Sequence, residues 1–223
     1  MSIYKPNKSC QIPNIAELYT KLFGEDVNRI FVEVGAYDGE SFSNTSFLAD
    51  IGWKGIYIEP TLEYAQACLS RHANNDVSVI RCAVGSEEKI VEIYQGGTLT
   101  TPLKSQVEMY NQVDWAKGHH HGSSFSVKQR RLDTLLRKCE IQPLFDLLVV
   151  DVEGYEPEVF NSFDLGFWKP KVMIVEIEDK HPSFTEYQNF TIAAAHLRQK
   201  IKDAGYREEY VDHINTVFVL EKV

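Results

Sequence analysis

The spacing of apolar and polar positions divides the chain into short buried runs and amphipathic stretches. Residues 14–23 place Ile15, Leu18, Tyr19 and Leu22 at helical intervals, and Gly24 can close that helix. Ile30 to Val34 is an apolar, β-branched strand that enters a turn at Gly35 and Gly39. Ser43 or Asn44 can cap the helix that follows over residues 44–51. Residues 55–58 read as a second buried strand ending at Glu59-Pro60, Thr61 as the cap of a helix to His72, and residues 77–83 as a third strand. A fourth, peripheral strand is predicted over 90–94. From Gln95 to Phe125 no period holds, and a glycine-bearing stretch of that length predicts a lid or binding loop. A strand tip and short helix resume over 127–138.

Phe145 to Val150 is continuously apolar, which predicts a central parallel strand, and it ends in Asp151-Val152-Glu153-Gly154. Pro157 suits the first turn of a helix to Phe163. Residues 172–177 form a further buried strand, 190–204 the last helix, and 206–220 a hairpin turned around 212–215. Strands alternating with helices predict an α/β fold, with a mostly parallel sheet covered on both faces and a C-terminal antiparallel hairpin. One domain over 1–223 is expected, with residues 1–29 as an N-terminal helical extension and 95–126 as a substrate-covering loop.

Composition narrows the function. A net charge of −9 argues against nucleic acid, whose binding rests on clustered Lys and Arg. The four cysteines, Cys10, Cys68, Cys82 and Cys139, have no metal-ligand spacing and read as reduced thiols in a cytoplasmic protein. Tyr4 to Cys10 is polar, unlike a signal peptide, and no apolar run reaches membrane length. The oligomeric state is not legible.

Acidic residues carry the chemistry. The first-strand turn lacks the spacing G-x-G-x-x-G, because Tyr37 and Glu40 stand where glycines would be, and it holds Glu33, Asp38 and Glu40. Such a turn suits a cation better than a pyrophosphate, and S-adenosylmethionine has both an ammonium and a sulfonium. Glu33, Glu59, Asp151 and Glu178-Asp179 each lie at or next to the end of a predicted parallel strand, the edge where α/β folds bind ligands. Glu59, twenty residues past Gly39, is placed to accept ribose hydroxyls of S-adenosylmethionine or NAD. Asp151 and Glu153 fall on one side of their strand and can orient an ammonium, bind a metal or act as general base. Glu178 and Asp179 can complete an all-oxygen site for Mg²⁺ or Mn²⁺ with Asp151. His119, His120 and His121 in the long loop are candidate substrate-binding or proton-accepting groups, or else exposed and idle.

From about Phe31 to Val219 the sequence resembles the FkbM-type methyltransferases, a class I S-adenosylmethionine-dependent family. The resemblance rests on Glu33-Val34-Gly35-Ala36-Tyr37-Asp38-Gly39-Glu40, on Ser43-Asn44-Thr45, on Gly52-Trp53-Lys54-Gly55 running to Ile58-Glu59-Pro60, and on Val175-Glu176-Ile177-Glu178. Its most specific part is Asp146 to Glu156, with Asp151-Val152-Glu153-Gly154 at its centre. It implies a three-layer Rossmann-like methyltransferase fold and O-methylation of a sugar or glycosylated product. The resemblance implies Glu33, Gly35 and Asp38 about the methionine part, Glu59 at the ribose and Ala83 on the adenine side, and Ala36, Tyr37, Asn44, Pro60, Cys82 and Asp151 are the further cofactor-binding candidates. Related sugar O-methyltransferases hold a divalent metal on acids at the fourth and fifth strand ends, here Asp151, Glu178 and Asp179. An NAD-dependent oxidoreductase and a non-catalytic binding protein of polysaccharide assembly remain as alternatives.

Overall fold

In the computed structural model, which describes residues 2–221, the chain runs α1 (Ile15–Phe23), β1 (Ile30–Val34), α2 (Ser46–Asp50), β2 (Lys54–Ile58), α3 (Leu62–Arg71), β3 (Val77–Ile80), β4 (Ala83–Val84) and β5 (Lys89–Tyr94). It continues through α4 (Lys104–Tyr110), β6 (Ser124–Arg130), α5 (Leu132–Lys138), β7 (Leu147–Val150), α6 (Glu156–Phe160), α7 (Leu165–Trp168), β8 (Val172–Glu176), α8 (Gln188–Asp203), β9 (Tyr206–Val211) and β10 (Asn215–Leu220). Seven strands make one sheet in the order β3-β2-β1-β7-β8-β10-β9. β3, β2, β1, β7 and β8 pair in parallel, and β10 and β9 close the sheet in antiparallel fashion.

Apolar runs without alternation are explained by cover on both faces. Leu147 and Val149 of β7 pack with α1 and α2, against Ile15, Tyr19, Phe23, Phe47 and Leu48. Their neighbours Leu148 and Val150 point the other way, to Leu135, Val159, Phe160, Leu197 and Ile201 of α5, α6 and α8. The C-terminal ends of β1, β2 and β7 therefore meet on one edge of a rigid sheet.

Two sequence expectations need correcting. Residues 77–83 are not one strand: β3 stops at Ile80, and β4 leaves to join a separate three-stranded sheet, β4-β6-β5. The stretch from 95 to 125 is also not without structure. It holds a turn of 3-10 helix (Gly97–Leu99), helix α4 and the first residues of β6. Leu99, Met109, Tyr110, Val113 and Ala116 pack there around Phe184. The helix is short, and the partner that buries its apolar side lies more than seventy residues away, so local periodicity is weak.

Candidate active site

A cleft opens on the edge where β1, β2 and β7 end, enclosing about 960 Å³ of space including its mouth. At its floor the chain after β1 comes very close to the chain after β7. A Cβ at Gly35 would stand 1.7 Å from the Asp151 carbonyl oxygen, and the residue's φ of +92° lies where L side chains are strained. The Gly35 and Ala36 amides donate to the Ile58 carbonyl, which holds the turn against β2.

Glu59 is buried, and both carboxylate oxygens are fixed, Oε2 by the Tyr37 amide at 3.0 Å and Oε1 by the Thr61 amide at 2.7 Å. Burial, opposed by these hydrogen bonds, leaves its pKa raised to about 7. Tyr37 packs on Tyr64 with ring centroids 4.2 Å apart, giving the cleft an aromatic wall. Glu33 lies under the floor and accepts hydrogen bonds from the Thr45 and Ser43 hydroxyls. Its burial raises its pKa to about 8.

The opposite end is dominated by acids. Asp151, Glu153 and Glu176 each bring a carboxylate oxygen within 4.8 Å of the others. All three are pushed upward in pKa, first by burial; the charges of neighbouring acids add to this for Glu153 and Glu176. Glu153 is held in the left-handed region at φ 56°. Its carboxylate accepts from the Tyr110 hydroxyl, and its carbonyl accepts from Thr101 Oγ1 at 2.9 Å. The segment read as a loop thus grips the turn after β7 from two sides.

Of the sequence candidates, Glu33, Gly35, Ala36, Tyr37, Asn44, Glu59, Pro60, Cys82, Ala83, Asp151 and Glu153 all line this cleft. Asp38 does not. Its carboxylate folds back onto the Glu40 and Ser41 amides and the Ser41 hydroxyl, as short acids do in turns. The histidines are also elsewhere: His119 and His121 are exposed, and His120 stacks on Tyr110 with centroids 5.9 Å apart. Such packing holds the α4 segment in place and gives none of them a side in the cleft.

The metal set of Asp151, Glu178 and Asp179 is not assembled. Asp179 is taken by Arg198, with contacts of 2.9 and 2.6 Å, and Glu178 faces a second cavity. The acids that do converge with Asp151 are Glu153 and Glu176, and three carboxylate oxygens at that spacing suit a hard cation. Glu176 was hidden because it is the last residue of a strand buried throughout. Gln11 was missed as well. Its amide donates to Asp151 Oδ2 at 2.9 Å, its carbonyl accepts from Asn44 Nδ2 at 2.9 Å, and it lines the cleft. No local pattern marks a glutamine before the first helix as part of a site.

The sequence profile of the methyltransferase FkbM domain matches residues 33–208. No curated protein matches the chain. Among solved structures, the fold is similar to the O-methyltransferase from Bacillus cereus in complex with SAH, at 12% identity and a TM-score of 0.50 over 96% of this chain and 84% of that one. Looser likenesses are the Methanococcus jannaschii fibrillarin pre-rRNA processing protein (13%, 0.47, 88% of this chain and 68% of that one) and a precorrin-6y C5,15-methyltransferase from Geobacter metallireducens (11%, 0.46, 98% and 94%). The structural likeness concerns the fold; the profile match, which spans the strand-end acids and most of the chain, decides the family. The chain belongs to the FkbM methyltransferase domain family.

Proposed function

We propose that the protein transfers a methyl group from S-adenosylmethionine to a hydroxyl oxygen of a sugar or glycosylated acceptor. The observation that carries this reading is the polarity of the cleft: Glu59 stands fixed at one end, and Asp151 and Glu153 stand at the other. The residues fit the cofactor. Close backbone approach at Gly35 keeps the floor free of side chains, Glu59 retains lone pairs for two ribose hydroxyls, and small Cys82 and Ala83 leave room for a flat ring. Glu33, Asn44, Gln11 and Asp151 supply the polar groups that a methionine ammonium and carboxylate require.

The bound cofactor supplies a methyl carbon already activated by a sulfonium. The protein's part is to align the acceptor oxygen with that carbon and to take the hydroxyl proton. Glu153 is the best-placed base. It lines the cleft, and its carboxylate is held by the Tyr110 hydroxyl. A second reading rests on the convergence of Asp151, Glu153 and Glu176, which would hold a Mg²⁺ or Mn²⁺ ion able to acidify the hydroxyl.

Methyl-labelled S-adenosylmethionine, offered with a panel of sugars and nucleotide sugars, tests the reading. The expected product is a base-stable methyl ether. Label recovered on nitrogen or carbon defeats O-transfer, and no label on any acceptor favours a non-catalytic protein. Full activity in excess chelator removes the metal.

A further inference from the structure

A second, smaller cavity opens beside α8, behind the turn that carries Asp151 and Glu153. Glu156, Glu176 and Glu178 line it together with Phe190, Ala193 and Leu197, and exposed Ala193 places its mouth at the solvent. No lysine, arginine or histidine is among its lining residues. Glu176 and Glu178 are 7% and 6% exposed, yet Oε2 of each has no hydrogen-bond partner among the described residues. Two orphaned carboxylate oxygens in one small cavity are unusual, since buried polar groups are nearly always paired. Arg198 on the same helix cannot serve them, because Asp179, Glu208 and Thr216 already occupy its guanidinium.

We infer that this cavity binds an ammonium group of the acceptor, which is an amino alcohol of the aminosugar kind: its protonated amine sits between Glu176 and Glu178, and its neighbouring hydroxyl faces Asp151 and Glu153. This inference rests on the proposed O-methyl transfer. Glu176 joins the two cavities, because its carboxylate lies within 4.8 Å of both Asp151 and Glu153 while also lining the second cavity. Phe190 and Leu197 give the small cavity an apolar wall beside the acids. A bound ammonium gives the two unpartnered carboxylate oxygens a donor. It also decides which atom is methylated. A protonated amine has no free lone pair, whereas the adjacent hydroxyl oxygen forms its bond to the methyl carbon as the carbon–sulfur bond breaks. The hydroxyl proton passes to a carboxylate of the acid pair, and the sulfur keeps the bonding electrons and leaves neutral.

The test compares ethanolamine with ethylene glycol, matched in size and differing in the charged group, by calorimetry on the protein loaded with S-adenosylhomocysteine. Ethanolamine should bind at least about tenfold more tightly, and Glu178→Gln should abolish the preference while leaving S-adenosylhomocysteine affinity unchanged. Equal affinities for the two probes, or a preference that survives Glu178→Gln, overturn the inference. So does tight binding of Mn²⁺ alone that excludes ethanolamine, since the acids would then serve a metal. If Glu178→Gln does not fold, Glu178→Lys supplies a tethered ammonium and should raise the melting temperature and block ethanolamine; an unchanged preference in that variant counts against the site. Failure of S-adenosylhomocysteine itself to bind would instead break the proposed function, and it is read in the same titration before either probe is added.

Discussion

The two ends of the cleft contain similar residues in very different states. At the β1–β2 end, both acids are answered by nearby chain: Glu59 by the Tyr37 and Thr61 amides, and Glu33 by two hydroxyls. At the β7–β8 end Asp151, Glu153 and Glu176 converge on one another, and among the described residues Oε2 of Glu176, like that of Glu178 in the neighbouring cavity, has no hydrogen-bond partner. The first end is a finished receptor whose ligand completes hydrogen bonds already organised. The second is electrostatically incomplete, and its ligand must bring charge or accept a proton. That contrast assigns cofactor to one end and acceptor chemistry to the other.

The largest effect that would sharpen this division is kinetic. Glu153→Gln keeps the shape and the Tyr110 contact but cannot take a proton, so the transfer rate should fall by about 10²–10⁴-fold, the usual worth of a general base. Affinity for S-adenosylmethionine should stay nearly constant in calorimetry. A variant that transfers at the normal rate moves the base to Asp151.

Next in size is the contact that joins the two ends. Gly35→Ala drives a methyl group into the Asp151 carbonyl at a positive φ. Strain and overpacking together should remove roughly 3 kcal/mol of stability, seen in chemical denaturation. A Gly35→Ala variant as stable as the parent would mean that the β1 and β7 ends are not tightly coupled.

At the finished end the expected losses are smaller and specific to the cofactor. Glu59→Ala should weaken S-adenosylmethionine binding by roughly 1.5–3 kcal/mol, the scale of hydrogen bonds to a charged group. Unchanged affinity in the folded variant would take Glu59 out of the site. The smallest effect is a pH dependence. Only the ionised form of Glu59 leaves all its oxygens as acceptors, and its pKa is raised to about 7. Affinity should therefore be full above that value and fall as pH drops through it, by about tenfold at one unit below. Glu59→Gln should flatten the curve; a slope that persists belongs to another group.

Legibility in the sequence follows the same divide. The cofactor end is written in consecutive residues, Glu33 to Gly39 and Ile58 to Pro60, because a strand and the turn leaving it fix their own geometry. The sheet core was legible for a similar reason, since β7 and β8 are apolar without interruption. The acceptor end is assembled from places far apart in the chain. Asp179 and Glu178 follow a strand end as Asp151 does, yet Arg198 captures the first and the second turns to another cavity. Glu176 takes part although strand alternation hides it among core residues. Likewise α4 gains its hydrophobic partner in Phe184, and its Tyr110 reaches Glu153, through contacts that no local window contains.

Gln11 changes how the protein should be divided into parts. The family profile begins at residue 33, so a fragment cut to that boundary would keep β2 and β7 but only Glu33 and Val34 of β1. It would lack the amide that spans Asp151 and Asn44, and with α1 the aromatic packing of Tyr19 on Phe47. The segment ahead of the shared domain is thus one wall of the chamber. Exchanging that segment between relatives is a route by which cleft shape can change while every strand-end acid stays in place.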